Sequence, residues 1–164
     1  MNALSPGCLI RSLTIAIPML LMTGCGDDTG ESVSASPVPA DLTMTARPGR
    51  WYDSGRLQQG AAVFAGNCAG CHGQLAQGLT EDWKTRLPDG SFPPPPLNGS
   101  AHAWHHPRVQ LLQVIDTGGI PYGGQMPAFQ EVLNDDQKLA AIAFFQNFWD
   151  DETYAVWLDR GGLQ

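Results

Sequence analysis

The stretch Cys68-Ala69-Gly70-Cys71-His72, near the middle of the chain, decides how the rest of the sequence is interpreted. The C-x-x-C-H spacing is the attachment signature of c-type haem. One helical turn brings both thiols against the vinyl groups on one edge of a porphyrin, and the adjacent histidine then meets the iron. The motif therefore predicts one covalently bound haem c, with Cys68 and Cys71 as thioethers and His72 as the proximal iron ligand.

Two other chemistries use similar cysteine patterns. A redox-active disulfide of the thioredoxin kind needs a strand before the first cysteine, and the residues before Cys68 show no alternating β-branched pattern. A zinc site could combine the two cysteines with His102 and His106, but the intervening loop is about twice the usual length and His72 would have no function in it. Both remain alternatives to the haem.

The second axial ligand is predicted to be Met126, in the stretch Gly123-Gly124-Gln125-Met126-Pro127. A thioether is a soft, neutral ligand that suits ferrous iron. Pro127 disfavours a helical conformation at Met126, so the methionine is expected on an extended loop. The competing ligands are three histidines, which we interpret as capping or haem-edge residues: His102, His105 and His106.

Three helices are predicted around these motifs, so the expected fold is all-α. The first runs from about Ser54 to Ala65, and its Gly60 is expected to let another helix approach closely. The second covers Pro107 to Thr117 and ends at a pair of glycines. The last begins at a capping box formed by Asn134 and Gln137 and continues to about Trp149. Glycine and proline, with 19 and 13 residues, predict long loops between the helices.

The N-terminus is typical of an exported protein. Residues 1–24 have the short apolar core of a signal peptide, and Met22-Thr23-Gly24-Cys25 resembles the lipobox of bacterial lipoproteins. Cys25 is thus predicted to carry lipid, although an ordinary cleaved signal remains the alternative. Residues 25–50 are predicted to be a flexible tether. Gly26 after the cysteine favours the outer membrane, so the expected location is the periplasmic side of a membrane.

These motifs together resemble the class I monohaem cytochrome c family over about residues 51–150, with 151–164 as a C-terminal tail. The resemblance implies three to five helices around one haem. It also implies that the carbonyl of Pro95, in Pro95-x-Leu97-x-Gly99, binds the proximal imidazole. The segment between His72 and Pro95 is longer than the family pattern, so Pro94 or Pro96 could provide this carbonyl instead.

The predicted function is that of a one-electron carrier, not an enzyme, because two protein ligands leave no vacancy on the iron for a substrate. The alternative is a haem enzyme or gas sensor with an open or displaceable distal position. A net charge of −7 argues against nucleic-acid binding. The expected partners are redox proteins, with the lipid as the contact to the membrane. The tail is expected either to pack on the domain or to dock a partner.

Overall fold

The computed structural model describes residues 44–164, and the predicted signal peptide, Cys25 and most of the tether lie outside this range. Within it the chain is helical, with no β-strand. Residues 44–164 form five α-helices, and two short 3₁₀ turns flank the third: α1 (Ser54–Asn67), α2 (Ala69–His72), α3 (Arg108–Thr117), α4 (Asp135–Gln146) and α5 (Asp151–Asp159). The predicted all-α fold is confirmed. No described helix is both long and apolar enough to span a bilayer.

Helices α1 and α4 form the centre of the fold and meet at Gly60. A β-carbon at this position would lie 2.7 Å from the carbonyl carbon of Ala140 and 3.0 Å from Cβ of Phe144. Around the crossing, Leu57 and Phe64 are buried, and the Phe64 ring lies 4.8 Å from that of Phe144. The expectation that a glycine lets the first and last predicted helices approach closely is thus confirmed.

Local signals set most of the helix boundaries. Asp53 caps α1, accepting a hydrogen bond from the backbone of Arg56. The capping box of Asn134 and Gln137 is present, with both bonds 2.9 Å long. Helix α4 ends at Gln146, three residues before the predicted end, and Trp149 follows it in a short connection to α5.

Helix α3 ends where its two glycines were expected to stop it. Gly118 has φ +78°, a conformation that favours glycine, and its N–H bonds the carbonyl of Val114. Pro107 is the residue before the first helical turn, so the helix begins at Arg108. Leu111 is buried, and the partly buried Leu112 and Ile115 pack against the same core.

The C-terminal segment packs against the rest of the described chain. It contains the helix α5, which the sequence did not predict, and its Tyr154 and Trp157 are buried in the main core. The Trp157 indole N–H donates to the carbonyl of His106 at 2.9 Å. Self-packing of the tail, one of the two expectations, is what the structure shows.

Ordered packing also extends N-terminal to Trp51. Met44 and Ala46 pack against the core, and the Arg50 guanidinium lies 3.9 Å from the Tyr154 ring centroid. Arg50 also donates to the carbonyl of Trp149 and to Asp151. Residues 44–50, assigned above to the tether, therefore contact the helical part of the chain.

Candidate functional site

The paired cysteines lie on one short helical turn. Cys68 ends α1 and begins α2, which spans only four residues. Backbone bonds from Cys71 and His72 to the carbonyl of Cys68 close the turn. Cys68 is partly buried, Cys71 is exposed, and the two are not joined in a disulfide. Two thiols on one turn, directly before a histidine, form the donor set that thioether attachment of haem requires.

The electrostatics of Cys68 argue against a thioredoxin-like disulfide. Burial, and to a smaller extent Cys71, raises the pKa of the Cys68 thiol to about 11. Reactive cysteines of redox-active disulfides have a lowered pKa, because the thiolate is the nucleophile. The strand that such a fold needs before the motif is also missing from residues 44–164.

His72 is buried, with only 7% of its surface exposed. Its Nδ1 lies 2.9 Å from the carbonyl oxygen of Pro95, so Nδ1 carries the proton and donates. Burial lowers the pKa of His72, and the Pro95 bond opposes this effect only in part. The imidazole is therefore neutral with Nε2 left as its lone-pair nitrogen, the arrangement of a histidine that binds a metal. Of the three candidate prolines, Pro95 provides the carbonyl.

Two nonlocal contacts hold Pro95 in place. The N–H groups of Leu97 and Asn98 donate to the carbonyl of Ala76, at 2.7 and 3.1 Å. The indole N–H of Trp149 donates to the carbonyl of Leu97 at 2.7 Å. Neither Ala76 nor Trp149 was predicted from the sequence to have this function. The one sequence feature that indicated a close contact here was Gly99. A β-carbon added to Gly99 would lie 3.2 Å from the Trp149 ring.

Met126 lies on an irregular loop, as the following proline predicted. Its carbonyl accepts a hydrogen bond from the N–H of Gly119 at 2.9 Å, which ties this loop to the end of α3. Gly118 lies directly against the Met126–Pro127 backbone, with 2.9 Å between an added β-carbon and the carbonyl carbon of Pro127. Met126 is partly exposed. After the loop, the N–H of Phe129 donates to the carbonyl of Ile115, so the chain again contacts α3.

Two of the three histidines after the long loop, His102 and His106, lie in one aromatic cluster, whereas the His105 ring lies 3.9 Å from that of Trp104. His102 stacks on Trp83 with ring centroids 5.0 Å apart, and His106 meets His102 edge-on at 5.6 Å. Burial, followed by the nearby His106 and His105, lowers the pKa of His102. Within residues 44–164, no three His, Cys, Asp or Glu side chains converge to hold a metal ion. The zinc alternative therefore has no ligand set in this part of the chain.

Comparison with known proteins agrees with the donor set. Residues 55–145, more than half of the chain, match the family described as cytochrome C oxidase, cbb3-type, subunit III. The chain is 30% identical over 97 residues to the cbb3-type cytochrome c oxidase subunit CcoP of Azospirillum sp., covering 59% of this chain and 30% of that protein. It is 26% identical over 185 residues to cytochrome c-L of Methylorubrum extorquens, covering 97% and 85% of the two chains.

No solved structure matches the chain at a significant level. The family match nevertheless covers the cysteine turn, the proline segment, the methionine loop and almost all of α1 and α4. The chain spans less than a third of the cbb3-type subunit, so the likeness concerns only that part of the relative. This chain belongs to the c-type cytochrome family of cbb3-type oxidase subunit III, and its cofactor is covalently bound haem c that serves electron transfer.

Proposed function

We propose that the protein is a one-electron carrier whose haem iron is bound by His72 and Met126 and whose porphyrin is joined to Cys68 and Cys71. The observation that carries the proposal is the His72 imidazole, which is buried, bonded through Nδ1 to Pro95 and placed directly after two cysteines on one turn. The haem supplies the change between ferric and ferrous iron. The chain supplies the ligands, the orientation of the imidazole and the exclusion of water.

The proposed contribution of Met126 is to close the second axial position. A methionine ligand favours the ferrous state and so raises the reduction potential. The X-Pro backbone and the bond from Gly119 keep this residue on a loop outside any helix, where its side chain is not used as core filling. An iron with both positions filled exchanges electrons and does not bind substrate, which is why we propose a carrier and not an enzyme.

Met126→Ala tests the ligation, with Met44→Ala as the matched control, because Met44 is the other methionine among the described residues. We expect the first variant to lose the methionine–iron charge-transfer band and to bind carbon monoxide in the ferrous state. Met44→Ala is expected to keep the band and to resist carbon monoxide, because the Met44 side chain packs against the core and is not the proposed ligand. A Met126→Ala protein with an unchanged band and no carbon monoxide adduct removes Met126 from this function.

The same spectra separate the carrier from a haem enzyme or gas sensor. A low-spin ferric wild-type protein that resists carbon monoxide supports the carrier. A high-spin ferric spectrum, with ready gas binding, would instead favour catalysis with the histidine cluster near the haem edge. In that case His102→Ala tests the contribution of the histidine cluster, because His102 is the histidine of the cluster whose pKa is lowered by burial.

We further propose that the chain is exported and anchored to a membrane through lipid on Cys25, with redox proteins as its partners. The supporting feature is the lipobox-like stretch at residues 22–25, and Gly26 favours the outer membrane. Similarity to a subunit of a cbb3-type oxidase supports transfer of electrons within or to a larger redox complex. Mass spectrometry of the mature protein tests the anchor, because it measures haem and acyl groups together. A Cys25→Ser variant found in the membrane fraction would contradict it.

A further inference from the structure

The long segment between His72 and Pro95 contains a turn that closes on itself. In residues 86–92, the N–H of Leu87 donates to the carbonyl of Ser91, and the N–H of Gly90 to the carbonyl of Leu87, both at 2.8 Å. Asp89 Oδ1 accepts from the backbone and the hydroxyl of Ser91, at 2.9 and 2.7 Å. The turn thus has its own hydrogen bonds. We call residues 86–92 the insert turn.

The insert turn contacts the loop that carries Met126 at two independent points. The N–H of Phe92 donates to the carbonyl of Gly123 at 2.9 Å. The side-chain amide of Gln125 donates to Asp89 Oδ2 at 2.6 Å, through the carboxylate oxygen that Ser91 does not use. The Phe92 ring also covers Gly123, since a β-carbon there would lie 3.7 Å from the ring. These contacts involve the residues one and three positions before Met126.

Apart from backbone bonds within residues 119–124, few other contacts in the described chain hold this side of the methionine loop. Ile120 and Tyr122 are exposed by 69% and 63%, so the loop makes few apolar contacts. Its two glycines at 123 and 124 give the backbone freedom that must be restrained. On the other side, the bond from Gly119 to the carbonyl of Met126 ties the loop to α3. The loop is therefore fixed between the end of α3 and the insert turn.

We propose that the insert turn is a brace for the methionine loop, and that Phe92 and Gln125 are positioning residues which limit how often Met126 leaves the iron. The inference rests on the proposed ligation by Met126. A loop held mainly by backbone bonds opens locally at low cost, and each bond removed raises the open population. One exposed hydrogen bond or ring contact corresponds to roughly a two- to tenfold change in that population.

The test uses the haem-loaded protein with Gln125→Ala, Phe92→Ala and the double variant. Gln130→Ala is the matched control, because Gln130 is exposed beside the same loop and its side chain forms no hydrogen bond within residues 44–164. Gln125→Lys keeps a donor for Asp89 and is the rescue variant. The readouts are the rate of carbon monoxide capture by ferrous protein, the methionine–iron band, and amide hydrogen exchange of residues 119–126.

We expect capture to accelerate roughly two- to tenfold in each single variant and further in the double variant, with faster exchange in residues 119–126. Gln130→Ala and Gln125→Lys should stay near wild type, and thermal unfolding should not change in proportion to capture. Capture and exchange in the double variant equal to Gln130→Ala would overturn the brace. If Met126→Ala itself leaves the band unchanged, the proposed ligation has failed and the brace fails with it. If Met126→Ala loses the band but the double variant shows wild-type capture and exchange, the ligation stands and only the brace is refuted.

Discussion

Replacement of Gly60 by alanine should destabilise the protein although alanine is the better helix former. An added β-carbon would lie 2.7 Å from the carbonyl carbon of Ala140 and would meet its oxygen even more closely. Carbon atoms pack favourably at roughly 3.5–4.0 Å, so α1 and α4 would have to separate by about 1 Å. The obstacle is backbone, which cannot rotate away as a side chain could.

The expected magnitude follows from two opposing effects. Overpacking costs up to about 3 kcal/mol, and the seam that would open includes the buried Leu57 and Phe64. The gain in helix propensity offsets about 1 kcal/mol. The free energy of unfolding should therefore fall by about 2 kcal/mol, which lowers Tm by about 8 °C at roughly 4 °C per kcal/mol.

Gly66→Ala is the matched control in the same helix, because nothing lies within 4 Å of its added β-carbon. This variant should gain stability by up to about 1 kcal/mol. Both proteins are loaded with haem and compared at equal haem content, by thermal and guanidinium unfolding followed through far-UV circular dichroism. A Gly60→Ala protein that unfolds at or above the wild-type temperature would refute the close crossing of α1 and α4.

Three further outcomes are expected. Trp157→Ala should lower the free energy of unfolding by about 3–5 kcal/mol, because the indole is 1% exposed and donates to His106. Leu158→Ala, at an exposed position, should cost less than about 1 kcal/mol, and equal losses in the two variants would show that the tail is not part of the core. Stability should also decline above roughly pH 10. Burial raises the pKa of Tyr52, so its ionisation favours the unfolded chain. The hydrogen bonds that the Lys138 ammonium donates to Asp116 and Asp135 raise the pKa of Lys138, and their stabilisation is lost as the pH rises through that folded pKa. Tyr52→Phe should flatten this decline in a pH series of denaturant titrations and the exposed Tyr122→Phe should not; the reverse would contradict the assignment. Finally, electron exchange with a basic redox protein should slow as salt rises, since the net charge is −7, and a stopped-flow rate that increases with ionic strength would be inconsistent with this.

Acidic residues lie near both ends of α4, and part of their charge is already paired with basic side chains. Asp151 lies 2.9 Å from Arg50, and Asp136 lies 3.5 Å from Arg56. Asp150 is the cap of α5 and accepts from the backbone of Thr153. The salt effect is therefore expected from the whole charge of the protein and not from one isolated acidic patch.

Features that depend on neighbouring residues could be predicted from the sequence. The cysteine turn places both thiols and His72 within one helical turn, whatever surrounds them. The capping box at Asn134 and the stop at Gly118 are likewise local, because a side chain or a positive φ satisfies backbone groups a few residues away. For these elements the sequence contained both partners of each interaction at a fixed spacing.

Contacts between distant segments were decided only by the tertiary structure. The choice of Pro95 among three prolines depends on Ala76 and Trp149, which come from distant parts of the sequence and bond the residues that follow Pro95. The packing of α5 and the attachment of the insert turn to Gln125 are of the same kind. Such contacts form only where folding brings two segments together. Because carbonyl and carboxylate groups occur throughout the chain, the sequence does not indicate which donor each of them will bind. The short spacing of the donor set thus determined the cofactor, whereas the arrangement of the chain around it was determined by packing.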